Sequence, residues 1–156
     1  MPIPAYLTIG DIPGSVNVEG REDTMQILAF DHTVHIPTDV KDGKASGTRV
    51  HGQFKVTKNY DKGTPLLYQY LCQGTVIPVA TLNWYTIDEG GNEKVYFTHT
   101  LEHCRITDIN AWMPNVDNAE TERYQHMEDV SFQYEKITWK FVDGNVEAAD
   151  SWKEGR

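Results

Sequence analysis

Six histidines, two of them in "THTLEHCR", suggest the simplest chemistry this chain could offer, a divalent metal held by imidazole nitrogens. The spacing argues against it. His99 and His103 fall in a segment that reads as strand, where four residues span about 13 Å, too far for one ion unless the chain bends between them. His32 and His35 point to opposite faces of an extended chain. General acid–base catalysis would need two carboxyl groups converging on one substrate in environments that separate their pKa values. Glu22-Asp23 and Glu128-Asp129 are adjacent in sequence, so each pair diverges along a strand and reads as solvated edge. Cys72 and Cys104 show no Cys-x-x-Cys or Cys/His spacing and read as small buried thiols. The alternative, a disulfide, needs their Cα atoms within about 7 Å. No nucleotide-binding, nucleophile-elbow or zincin motif is present. The expectation is a protein with no catalytic residue, no metal ligand and no cofactor-binding residue, and hence not an enzyme.

Two features leave binding or assembly open. Trp84, Trp112, Trp139 and Trp152 could line a ligand-binding interior, but such residues more often build a core or a subunit interface. Fourteen basic against twenty-three acidic residues give a formal charge of −9, which disfavours nucleic acid and anionic membranes as partners. The N-terminal "MPIPAYLTIGDIPG" has no basic region followed by a long apolar run. The sequence therefore predicts synthesis in the cytosol, no membrane insertion, and any export by a route that needs no cleaved signal.

The elements that would position these residues are mostly strands. "RVHGQFKVTKNY" (49–60) alternates, with Val50, Phe54 and Val56 on one face and Arg49, His51, Gln53 and Lys55 on the other. "VIPVATLNWYTID" (76–88) is β-branched and aromatic, and Pro78 within it implies an edge position or a bulge. "EKVYFTHTLEHCRITDIN" (93–110) puts Val95, Phe97, His99 and Leu101 on one side, then changes phase to Cys104 and Ile106. "HMEDVSFQYEKITWKF" (126–141) does likewise, from Val130, Phe132 and Tyr134 to Ile137, Trp139 and Phe141. Such switches suit strands that pass between two packed sheets or bend around a barrel. "IDEGGNEK" (87–94) and Asp143-Gly144 read as hairpin turns, and the polar 113–123 stretch reads as exposed.

One helix interrupts the strands. In "DKGTPLLYQYLCQG" Thr64 can cap it, Pro65 suits its first position and Gly74 can end it. Leu66, Leu67, Tyr70 and Leu71 form its apolar stripe, with Gln69 and Gln73 turned away. The predicted fold is mainly β, an antiparallel barrel or two-sheet sandwich with one flanking α-helix over about residues 64–73, in a single domain spanning 1–156. The polar stretch "PTDVKDGKASGT" (37–48) is long for a hairpin connection and is either mobile or used for contact.

In their order, these segments resemble the Hcp family, the tube-forming secreted proteins of bacterial type VI secretion systems. The likeness runs from "MPIPAYLTIGDIPGSV" through "VEGREDTMQILAFDHTVHIPTD", "GTRVHGQFKVTK" and "TPLLYQYLCQG". It continues in "LNWYTIDEGGNEKVYFTHTLE", "DINAWMPN" and "MEDVSFQYEKITWKFVDGN" and closes with "DSWKE". The resemblance implies a β-barrel flanked by a helix, six copies of which form a ring around a wide channel. The rings stack into a tube inside a contracting sheath, beneath a VgrG-type spike, with small effector proteins carried in the lumen. It also implies a bacterial cytoplasmic protein secreted by the type VI route, and a bare tube subunit with no fused toxin domain. In that setting Pro37, Thr38, Asp39, Lys41, Asp42 and Lys44 become ring-stacking contacts, and the helix a rigid flank where subunits pack. Other readings stay open: a phage-like tail-tube protein, and a monomeric barrel that binds a small molecule in a closed apolar interior or is an enzyme whose site is assembled from distant residues.

Overall fold

Alternation along the strands sets the inside of the protein against its outside. The computed structural model describes residues 3–45 and 47–152. Ser46 of the 37–48 stretch, and Lys153 and Glu154 of "DSWKE", lie outside the described residues, as do the first and last two residues of the expected domain. Among the described residues no helix is long and apolar enough to cross a membrane.

Ten strands and one α-helix are present among those residues: β1 (Ala5–Ile9), β2 (Met25–Asp31), β3 (Val34–His35), β4 (Val50–His51), β5 (Phe54–Asn59), α1 (Thr64–Gln73), β6 (Ile77–Ile87), β7 (Glu93–Trp112), β8 (Met127–Gln133), β9 (Lys136–Phe141) and β10 (Val146–Ser151). All pairings are antiparallel, and β1, β2, β5, β8, β7 and β6 close into a six-stranded barrel. β9 and β10 extend the sheet outward from β7, while β3 and β4 form a separate small sheet. The barrel is filled by side chains, among them Leu7, Phe54, Leu82, Leu101, Phe132 and Ile137, each less than 2 % exposed. They occupy the space that a ligand-binding barrel would leave open.

β7 serves three partners because it changes phase. Leu101 and Cys104 are both buried, three residues apart where a regular strand allows two. His103 absorbs the extra residue with φ 50°, a left-handed conformation uncommon outside glycine. It pairs with β9 up to Glu102 and with β6 up to Cys104, and from Arg105 onward it pairs with β8. Pro78 lies opposite this bend, beyond the last β1 pair at Ala80. That edge therefore lacks a β1 neighbour, and the missing N–H breaks no ladder bond there.

Two stretches expected to be single strands are divided. Residues 126–141 form β8 and β9, separated at Tyr134-Glu135, because one pairs with β7 after its bend and the other before it. Residues 49–60 form β4 and β5, with a break at Gly52-Gln53 where the Gly52 N–H donates to the Thr33 carbonyl at 2.7 Å. The break reverses the alternation: His51 is buried and Val50 exposed, opposite to the expectation.

The helix begins one residue earlier in role than expected. Gly63, not Thr64, is its N-cap, and a Cβ there would collide with the Pro13 carbonyl. Thr64 is instead the first helical residue. Its hydroxyl accepts the Asp61 N–H at 3.0 Å and donates to Glu128 at 3.1 Å. Pro65 is therefore the second helical residue and not the first, and Gly74 closes the helix at φ 64°, its N–H reaching Leu71 and that of Thr75 reaching Tyr70. Leu67 is fully buried, Leu66, Tyr70 and Leu71 pack part-buried against the core, and Gln69 and Gln73 face outward. Cys104 is buried but Cys72 is exposed, correcting the expectation of two buried thiols, and both are free. Burial pushes the Cys104 thiol up to about 12.

Candidate assembly surface

The 37–48 stretch is the far part of an arm rather than a plain loop. β2 and β5 run together as a hairpin whose continuation, β3 and β4, pairs Val34 with His51 and His35 with Val50. A further bridge joins Thr38 to Ala45. At the tip the Asp39 N–H donates to the Lys44 carbonyl at 2.6 Å, and the Asp39 carboxylate accepts the Lys41 N–H at 2.8 Å. The Asp42 carboxylate accepts the Lys44 N–H at 3.1 Å. Both aspartates thus shape the turn, while Lys41 and Lys44 make no ion pair with the described residues. Pro37 is half-buried and Thr38 exposed.

Val40 stands at this tip 98 % exposed, and Val34, Ile36 and Val50 are exposed along the arm. Sequence reasoning dwelt on the charges and passed over these residues, although β-branched residues in a polar stretch were the available signal.

The root of the arm is held by side chains. Arg49 grips Asp150 through Nε and Nη2 at 2.8 and 3.0 Å, and Nη2 also donates to the Ser151 carbonyl at 2.7 Å. His51 reaches Asp150 through Nε2 and the Tyr134 hydroxyl through Nδ1, each at 2.6 Å. His32 meets the same hydroxyl at 2.8 Å. Arg49 and then His51 hold the Asp150 carboxyl down at about 2, and burial raises the Tyr134 phenol. Of the histidine pairs weighed for metal, neither converges: His99 accepts the Trp84 indole N–H at 2.8 Å inside the barrel, and His103 is exposed at the bend. Among the described residues no three His, Cys, Asp or Glu side chains are placed to hold a metal ion.

Glu22 and Asp23 lie on the surface, but Glu128 departs from the expected solvated edge. It is fully buried and receives the ammonium of Lys58, itself 1 % exposed, at 2.5 Å. Lys58 also reaches Asp61 at 3.2 Å, tying the start of α1 to the barrel wall.

Among the described residues β10 is the open edge of the large sheet. It pairs with β9 over six residues without a bulge, contains neither proline nor lysine, and leaves Val146 66 % exposed. The sheet beside it carries an uncharged row across five strands: Thr8 pairs with Thr81, Thr81 with Thr100, Thr100 with Thr138, and Thr138 with Ala149.

Residues 6–141 match the family model described as "Type VI secretion system effector, Hcp". The chain is 35 % identical over 143 residues to the "Major exported protein" of Pseudomonas aeruginosa, covering 92 % of this chain and 83 % of that one. The structure of Hcp1 from E. coli EAEC 042 is similar with a TM-score of 0.84 at 37 % identity, over 97 % of this chain and 99 % of that one. The secreted protein Hcp3 of Pseudomonas aeruginosa gives 0.76 at 30 % identity, with the same coverage.

Proposed function

The chain belongs to the Hcp family of type VI secretion proteins, and from that membership we propose that it is the structural subunit of the secretion tube. Six copies close into a ring, rings stack, and the tube is exported from the bacterial cytoplasm, riding within a sheath and beneath a VgrG-type spike. The relative named as a major exported protein supports export.

The observation that carries the reading is β10. A six-residue edge strand free of proline, lysine and bulge, whose Asp150 carboxylate is already paired to Arg49 and His51, keeps only Glu147 as a charge against pairing with another chain. A head-to-tail contact through such an edge generates rings when the rotation closes. The arm supplies a second surface, with Val40 and its apolar neighbours offering burial and Lys41 and Lys44 offering positive charge to a stacked copy of net charge −9. The threonine row suits a channel wall: hydroxyls that hold water, with no charge to trap a small effector protein of either sign. The packed interior counts against a ligand held in a closed cavity inside the barrel.

Lysines introduced together at Val146 and Ala148 test the seam. The variant is expected to keep its melting temperature within a few degrees and to run as a monomer on sizing with light scattering. Rings formed as readily as by the parent chain would contradict the reading.

A further inference from the structure

We infer that Arg49, His51 and Asp150 are positioning residues that fix the angle of the arm to β10, so that lateral and axial contacts are made or lost together. The inference rests on the assembly reading for what the arm touches, but the latch itself is a property of one subunit.

The arm cannot hold its own direction. Its sheet consists of two residue pairs and one bridge, and an isolated two-stranded hairpin is marginal in water. What fixes it is at its root. Arg49, next to β4, presents a planar fork to both oxygens of Asp150, the geometry in which a guanidinium is most directional. His51 adds a second bond to that carboxylate and lies nearly parallel to Trp152, with ring centroids 5.6 Å apart. The opposite root is tied through His32 to Tyr134, the residue at which the chain steps from β8 to β9.

With both imidazoles neutral the contacts are satisfied in sequence: His32 donates from Nε2 to the Tyr134 oxygen, Tyr134 donates to Nδ1 of His51, and His51 donates from Nε2 to Asp150. The Tyr134 hydroxyl, both His51 ring nitrogens and both Asp150 oxygens each have a partner, which favours one seat for the arm over several.

Asp150 sits in β10, paired through its backbone with Ile137 of β9. A strand added to the open side of β10 would immobilise that backbone. The carboxylate and the arm clamped to it would be immobilised with it. Closing the ring thereby lowers the ordering cost of the stacking contact, a coupling that needs no change of shape.

The test uses the full chain and two readouts. Amide hydrogen exchange over residues 33–52 is compared between the parent, Asp150→Asn, Arg49→Gln and Arg49→Lys, and ring stacking is followed by negative-stain imaging against protein concentration. Asp150→Asn and Arg49→Gln are expected to raise arm exchange about tenfold while β5 and β8 stay protected. Arg49→Lys, which keeps the charge and loses the fork, should fall between. Stacking in the two stronger variants is expected to need about tenfold more protein. Arm exchange unchanged in both would overturn the latch, whether or not rings form. Faster arm exchange with unchanged stacking would overturn the coupling, and it would count against the arm as the stacking contact. A parent chain that forms no rings would remove the assembly reading and leave exchange to decide the latch.

Discussion

His99 shows how burial turns one side chain into an acid sensor. It lies against Phe30, Phe54 and Phe97, and burial lowers its pKa to about 4. The neutral ring is the form that accepts the Trp84 indole N–H. The unfolded chain takes up this proton near pH 6.5, the folded chain only near 4, so the stabilisation is complete above 6.5 and is lost as pH falls toward 4. The difference is worth roughly 3 kcal/mol, and His32, whose pKa is also lowered, adds in the same direction. His99→Gln, which keeps an acceptor but does not titrate, should flatten the slope of urea stability against pH in this window; an unchanged slope would contradict the assignment. Lys58 and Glu128 make a second case. Lys58→Met strands a carboxylate and should cost about 3–5 kcal/mol in urea unfolding, most of it recovered when Glu128→Leu is added. A single variant as stable as the parent would show that the pair is not desolvated. This pair was legible in the alternation, since Lys58 continues the inward series of Phe54 and Val56, and Glu128 precedes Val130 and Phe132 in phase. Reading Glu128 only against its neighbour Asp129 hid it.

At the scale of elements, α1 and the two phase changes carry the most information. The helix limits and the stripe from Leu66 to Leu71 follow from periodicity, and the same periodicity places Cys72 beside Gln69 and Gln73, outside the stripe. Judging that cysteine by its type alone gave the wrong face. The N-cap was missed because the Thr64 hydroxyl is engaged by the Asp61 N–H and by Glu128, and neither contact is visible locally. The bend of β7 was legible because one strand carried two alternations. The break at Gly52 was not, since Val50 and Phe54 keep an even spacing across it, and only the contact from Gly52 to Thr33 reveals the change of sheet. Leu67 joins α1 to the barrel core. Leu67→Ala should cost about 2–5 kcal/mol, and Leu67→Asp should prevent folding and, with it, ring assembly. Intact folding and assembly in Leu67→Asp, judged by circular dichroism and sizing, would contradict the role of α1 as a rigid flank.

For the whole molecule, charge and shape pull in opposite directions. Each chain carries −9, so the proposed ring of six would concentrate −54 (6 × −9), and edge hydrogen bonds with apolar burial would have to outweigh the repulsion. Raising salt from about 0.01 to 0.15 M shortens the screening length from roughly 30 to 8 Å and should strengthen stacking; light scattering with the opposite trend would count against repulsion as the force that limits it. The order of segments made the family legible before any coordinates, because nearly every stretch contributes to the likeness. The surfaces were less legible, since an open strand edge is defined by what fails to pair with it. The most direct measurement is the native mass of the purified chain at moderate salt. The expected species has a mass of about 107 kDa, six times the 17.8 kDa chain, and appears in negative stain as a ring with an open centre. A particle that stays at 17.8 kDa across protein concentration and salt would contradict the tube-subunit assignment.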